Sequence, residues 1–322
     1  VLIQSVILVL GLLLLIKGAD WLVFGATAIA KKSGLSDLAI GLTVVAFGTS
    51  APELVVNVLA SIEAHQEIVF GNIIGSNNFN LLIILGITGL IMPLLVNNST
   101  IWKEIPLSFF AILIVFIMAN FINPSELLVI SRPESVLLLS FFALFVWYVF
   151  KQLKADPNEE IDANLSDAFT PLKPFKAVGY MIFGLIGLVI GGKLMVDTAV
   201  DIAQSFGLSE KVIGLTIVAA GTSLPELATS VLAAIKKKTD IAVGNIIGSN
   251  IFNLFFILGI SGLINPLNYD ASFNLDLLLL ALGTVFLFTA MFISGKKLLD
   301  RWEAALLLIT YLGYLCWLLF IK

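Results

Sequence analysis

The stretch Gly48-Thr49-Ser50-Ala51-Pro52-Glu53 places a helix-breaking proline and a carboxylate inside an apolar segment, and the chain repeats it as Gly221-Thr222-Ser223-Leu224-Pro225-Glu226. Few patterns constrain a fold more tightly. Proline has no amide proton and collides with the carbonyl four residues earlier, here Gly48 or Gly221, so neither segment is a plain helix throughout. A charge at membrane depth is costly and marks a functional site by default. The membrane setting follows from composition. Only 12% of the 322 residues are charged and 59% are hydrophobic, against about 25% charged in a soluble domain. Apolar runs of roughly 20 residues recur, as bilayer-spanning helices require. The single Cys316 excludes an internal disulfide framework and a CxxC metal site. The apolar start, 1–16, has no basic region or plausible cleavage site before it runs on to Ala30, so it reads as the first membrane helix.

The chain reads as an all-α polytopic membrane protein with ten spans: about 1–32, 36–61, 68–92, 102–121, 134–153, 175–206, 209–235, 241–265, 273–293 and 302–322. Its halves repeat. At a constant offset of 173 (211 minus 38), residues 38–94 align with 211–267 without a gap, and 36 of the 57 positions are identical. Gly34-Leu35-Ser36 extends the match against Gly207-Leu208-Ser209. Five spans per half is an odd number, so the second half enters from the opposite face. This predicts two inverted five-helix repeats, 1–153 and 175–322, joined by a polar linker at 154–174 and meeting at a shared site. The placement of positive charge agrees. Lys31, Lys32, Lys103, Lys151, Lys154, Lys173, Lys176, Lys236, Lys237, Lys238, Lys296, Lys297 and Arg301 fall on one face, and only Arg132, Lys211 and Lys322 on the other. The first face is then cytoplasmic, and both termini are extracytoplasmic in a plasma membrane.

The polar residues inside these spans carry oxygen almost exclusively. The broken helices expose carbonyls around Ala46, Phe47, Ala219 and Ala220, which lipid tolerates only where they line a cavity or meet a partner. Thr49, Ser50, Thr222 and Ser223 add hydroxyls, and Glu53 and Glu226 add two charges. In the third and eighth spans, Asn72, Ser76 and Asn80, and again Asn245, Ser249 and Asn253, are spaced by four and share a helical face. Gly71 with Gly75, and Gly244 with Gly248, form the small-residue pattern of closely packed membrane helices. With no histidine or cysteine nearby, zinc, copper and nickel are poor candidates. Ca²⁺, which takes six to eight oxygens in flexible geometry, fits better than Mg²⁺. Two glutamates neutralise one Ca²⁺ or hold several Na⁺, so the two ions compete, and competition for one alternating site is antiport.

Other polar residues have plainer readings. Lys17 with Asp20 and Lys193 with Asp197 are spaced as helix-surface ion pairs. Asn57, whose repeat counterpart is Ser230, reads as a helix contact. His65, flanked by Glu63 and Glu67, reads as a solvated connector residue. Asp156, Glu159, Glu160, Asp162 and Asp167 lack the spacing of a calcium-binding loop and read as a solvated linker.

Through these paired motifs, GTSAPE with GNIIGSNNFN and GTSLPE with GNIIGSNIFN, the chain resembles the cation/Ca²⁺ antiporter superfamily over its whole length, and specifically its prokaryotic sodium/calcium exchanger branch. The resemblance implies ten helices in two inverted halves. It maps the Ca²⁺ ligands onto Glu53, Glu226, Thr49 and Thr222. Na⁺ ligands map onto Ala46, Ser50 and Ser76 and onto Ala219, Ser223 and Ser249, with Asn80 and Asn253 central. Asn253 stands where potassium-dependent relatives place an aspartate, which argues against K⁺ cotransport. Gly75 and Gly248 stand where the proton-coupled branch places an additional acid, which favours Na⁺ over H⁺. The expected function is an electrogenic Na⁺/Ca²⁺ antiporter, with a Ca²⁺/H⁺ antiporter as the alternative and a Ca²⁺ channel as the contrasting class. No enzymatic activity, cofactor, nucleic acid or obligate protein partner is expected beyond the ions and the bilayer. Long first and sixth helices sliding across the rest, eased by Gly11, Gly18, Gly25, Gly191 and Gly192, would alternate access.

Overall fold

The computed structural model describes residues 2–32, 46–122, 128–155, 174–235, 237, 239–293 and 297–320, and the long elements among them are all helices. Two of them, α1 (Leu2–Lys32) and α7 (Pro174–Phe206), are the longest at 31 and 33 residues. Between them in sequence lie α2 (Ala46–Thr49), α3 (Ala51–Ile62), α4 (Gln66–Ile91), α5 (Thr100–Ile122) and α6 (Arg132–Ala155). After α7 come α8 (Glu210–Thr222), α9 (Leu224–Ile235), α10 (Ile241–Ile264), α11 (Ala271–Ile293) and α12 (Arg301–Phe320). Eight of these are long and apolar enough to cross a membrane, and the α8–α9 pair, bent by 47°, makes a ninth. The expected second span falls partly on 33–45, outside the described residues, and α2 and α3 are its described remainder. The acidic linker residues also lie outside them.

The helix that sits deepest, α4, is among the less apolar ones. In α4 the most apolar window has a mean hydropathy of 1.6 and is 94% buried, whereas α5 reaches 2.5 and is 39% buried. This inversion is what a bilayer demands: polar faces turn inward and lipid meets the apolar exterior. α4 packs on α8 at glycine. A Cβ at Gly71 would come within 2.9 Å of the Gly214 Cα, and one at Gly75 within 2.8 Å of the Ala219 Cβ. The counterpart glycines Gly244 and Gly248 have no described neighbour within 4 Å.

α1 and α7 lie against each other backbone to backbone. A Cβ at Gly18 would stand 2.7 Å from the Leu188 amide nitrogen and 2.8 Å from the Gly184 carbonyl oxygen. Gly11 and Gly25 meet α7 in the same way, and Gly191 meets α1. This corrects the expectation that all five glycines ease sliding over the other helices: four of them lock α1 to α7, and Gly192 alone faces another helix, against Val55 and Leu59 of α3. Two features tie the remainder together. Short strands β1 (Leu94–Leu95), β2 (Val129–Ile130), β3 (Leu267–Asn268) and β4 (Leu298–Leu299) pair antiparallel as β1 with β4 and β2 with β3. Each pair joins the first half of the chain to the second. Asp276, fully buried on α11, pairs with Lys211 Nζ at 2.8 Å and accepts from the Tyr314 hydroxyl at 2.7 Å.

Candidate functional site

Both proline-containing segments break at one residue. Ser50 (φ −88°, ψ 8°) separates α2 from α3, and Ser223 (φ −83°, ψ 6°) separates α8 from α9. The helix resumes at once, with Pro52 in the first turn where its missing amide proton costs least. Glu53 and Glu226 fall in the first turns of α3 and α9, where helix dipoles favour negative charge. Connectors after these helices also match: Ala64 (φ 62°) and Lys237 (φ 63°), 173 positions apart, share the left-handed conformation.

The two breaks face each other. Ser50 Oγ donates to Glu226 Oε1 at 3.0 Å, and Ser223 Oγ donates to Glu53 Oε1 at 3.1 Å. The two segments thus exchange matching hydrogen bonds. Both glutamates are 1% exposed. Among the described residues no lysine, arginine or histidine forms an ion pair with either. Burying two like charges without a counter-charge costs several kcal/mol for each.

Asn80 and Asn253 stand at matching points, at the start of the π-helical stretches 79–84 and 253–257. A π-turn widens the helix and recurs at functional sites. The stretch bearing Asn80 packs against α9, and the stretch bearing Asn253 packs against α3, so each stretch lies on the helix of one glutamate. Side-chain oxygens left buried without a hydrogen-bond partner include Glu53 Oε2, Glu226 Oε2, Asn80 Oδ1 and Asn253 Oδ1. Two carboxylate and two amide oxygens, all acceptors, are what a hard cation takes as ligands.

The other expected site residues cluster here with differing local bonds. Thr222 Oγ1 donates to Asn72 Oδ1 at 3.1 Å, and Ser76 Oγ approaches the same oxygen at 3.4 Å. Asn245 breaks the symmetry by donating to Ser230 Oγ at 3.2 Å. The Ala219 carbonyl already accepts from the Ser223 amide at 3.1 Å, and the Thr222 hydroxyl oxygen lies 3.3 Å from it. Thr49 and Ser249 are buried beside these elements. Ala46 lies in α2, and its side chain is outside the described residues. Asn57 is a helix contact as expected, donating to the Glu53 carbonyl at 2.8 Å.

Two peripheral readings change. His65 is more than a solvated connector residue: its Nδ1 lies 3.0 Å from Glu210 Oε1, with both side chains 28% exposed, because the α3–α4 connector folds against the start of α8. Lys193 pairs with Asp197 at 3.5 Å, but it also reaches across to Glu63 at 2.6 Å and so joins α7 to the end of α3. Lys17 and Asp20 form the expected surface pair at 3.2 Å. Sequence reasoning missed Asn77 and Asn250, which bond to each other and to Asn253 and Asn80. Their identity in both repeats was the available signal, but they fall off the four-residue stripe.

The buried acids, the acceptor-lined centre and the apolar helices around it define a polytopic membrane transporter. The chain matches the family model described as sodium/calcium exchanger protein over residues 3–151 and 176–320, and it belongs to that family. It is 38% identical over 317 residues to the putative antiporter CaxA of Alkalimonas amylolytica, covering 97% of this chain and 98% of that protein. It is 33% identical over 358 residues to the sodium/calcium exchanger MaX1 of Methanosarcina acetivorans, covering 99% of each. Its fold is similar to that of the sodium-calcium exchanger NCX_Mj soaked with Na⁺ and Sr²⁺, with a TM-score of 0.65, 30% identity and 98% of each chain covered. The chain is therefore a membrane protein of a cation/Ca²⁺ exchanger family.

Proposed function

We propose that this protein is a secondary active antiporter that exchanges Na⁺ for Ca²⁺ by alternating access, with Glu53 and Glu226 at the centre of the transported-ion site. The observation that carries this reading is the pair of buried carboxylates with no basic partner among the described residues, together with the unbonded amide oxygens of Asn80 and Asn253. Thr49, Ser50, Ser76, Ala46 and their counterparts Thr222, Ser223, Ser249 and Ala219 complete the site. Their neutral oxygens let several Na⁺ share the two acids that one Ca²⁺ neutralises. More than two Na⁺ per Ca²⁺ makes the exchange electrogenic.

The full architecture in this reading has ten transmembrane helices in two inverted five-helix repeats, 1–153 and 175–322, with the linker 154–174 in the cytoplasm. Both termini are extracytoplasmic in a plasma membrane. The reciprocal bonds at the breaks and the exchanged strand pairs support the repeat relation. α1 and α7 slide together over the other helices, because the seam between them is too tight for them to slip independently.

A Ca²⁺/H⁺ antiporter is the second reading, since buried carboxylates also accept protons. The free amide oxygens suit Ca²⁺ in either reading, and what favours Na⁺ is Gly75 and Gly248, which stand where proton-coupled relatives place an additional acid. Purified protein in liposomes decides between them. Ca²⁺ uptake should follow an imposed Na⁺ gradient at fixed pH with protons clamped by an ionophore. Uptake indifferent to Na⁺ overturns the Na⁺ reading, and current without counter-ion flux indicates a channel.

A further inference from the structure

We propose that Asn77 and Asn250 are positioning residues that turn the amide oxygens of Asn253 and Asn80 toward the transported cation; this rests on the ion site lying at the two glutamates. Asn77 Nδ2 donates to the main-chain oxygen of Asn250 at 3.2 Å, and Asn250 Nδ2 donates to the main-chain oxygen of Asn77 at 3.3 Å. A carbonyl only accepts, so each side-chain nitrogen must face the opposite backbone. The atom left over on each side chain is then an oxygen. Asn77 Oδ1 accepts from Asn253 Nδ2 at 3.0 Å, and Asn250 Oδ1 accepts from Asn80 Nδ2 at 3.1 Å.

The chain of bonds allows one orientation. An amide held by its nitrogen presents its oxygen on the other branch, and Asn80 Oδ1 and Asn253 Oδ1 are the buried atoms that end without a partner. Turning either amide over would set oxygen against oxygen at the clamp and point NH₂ at the cation. Asn77 and Asn250, which are 0% and 1% exposed, thus fix the polarity of two ligands without ligating the ion themselves. The bonds also cross between halves, so each half orients the amide of the other.

Equilibrium Ca²⁺ binding to purified protein in Na⁺-free detergent tests this by double-mutant cycles. Asn77→Leu should weaken Ca²⁺ binding by about 10–100-fold, as loss of an orienting partner does at other metal sites. In an Asn253→Ala background the same change should have little further effect, because there is no amide left to orient. Asn250→Leu should couple to Asn80→Ala in the same way. The crossed pairs, Asn77→Leu with Asn80→Ala and Asn250→Leu with Asn253→Ala, should be additive. Additive losses in all four pairs, or coupling that ignores the pairing, overturn the proposal. If a leucine variant is not monodisperse, Asn77→Ser and Asn250→Ser serve the same cycles. Glu53→Gln is measured in parallel: unchanged Ca²⁺ binding there refutes the placement of the ion site, whereas lost binding with additive asparagine effects removes the clamp alone.

Discussion

Ser50 and Glu226 lie 176 positions apart and share a buried 3.0 Å hydrogen bond, in which the hydroxyl of one helix break donates to the carboxylate following the other. Ser223 and Glu53 form the same bond in reverse at 3.1 Å. Each half of the chain therefore supplies the donor that holds the other half's acid. Each bond leaves one oxygen of its glutamate free.

Because the bonds are reciprocal, Glu53→Gln and Glu226→Gln should impair transport to a similar degree. Each removes one of the two charges facing the ion, and ligand charge sets calcium affinity over several orders of magnitude. We expect Ca²⁺ uptake into proteoliposomes to fall by about tenfold or more in either variant. Near-normal uptake in one of them would show that the site lies elsewhere.

Ser50→Ala and Ser223→Ala should each leave a carboxylate free to rotate. A hydrogen bond to a charged group is worth about 1.5–3 kcal/mol, so the Na⁺ and Ca²⁺ concentrations for half-maximal exchange should rise by about tenfold in both variants. Ion titrations of initial rates measure this. A shift in one serine variant but not the other would contradict the two-fold arrangement.

The seams of α7 make opposite predictions for cross-links, in a Cys316→Ser background. The pair Gly11→Cys with Leu194→Cys joins α1 to α7, which move together, so exchange should survive its oxidation. The pair Gly192→Cys with Val55→Cys joins α7 to α3 across the sliding surface, and its oxidation should stop exchange until the disulfide is reduced. Exchange that persists with α7 locked to α3 would refute the sliding movement.

Asp276→Asn should destabilise the protein without touching the ion site. It strands Lys211, whose side chain is 13% exposed, beside a neutral amide. Removing one partner of a buried pair costs about 3–5 kcal/mol. Thermal melts in detergent should show a clear loss, and adding Lys211→Met should recover most of it. An unchanged melting temperature in Asp276→Asn would mean that the pair is solvated.

Much of this was legible in the sequence because membrane burial leaves few polar residues to explain. Glu53 and Glu226 stood out through their prolines, and the helix bounds followed from uninterrupted apolar runs. What escaped notice depends on partners distant in the chain. Asn77 is five residues past Asn72, off the four-residue stripe, and its bonds go to Asn250 and Asn253. The π-helical turns that begin at Phe79 and Asn253 leave no mark in apolar periodicity. His65 resembled a solvated connector residue because its partner, Glu210, lies 145 positions away.

The exchanged bonds have a consequence for how such a chain could arise. A single half contains a serine, a glutamate and two asparagines that supply both donor and acceptor of the reciprocal bonds crossing the centre. Two separate copies of one half-length polypeptide, meeting across a two-fold axis, would satisfy those bonds as an isologous dimer does. Joining the copies in one chain fixes their ratio at one to one and releases each from having to match itself. Asn245, which bonds to Ser230 while its counterpart Asn72 accepts from Thr222, already uses that freedom.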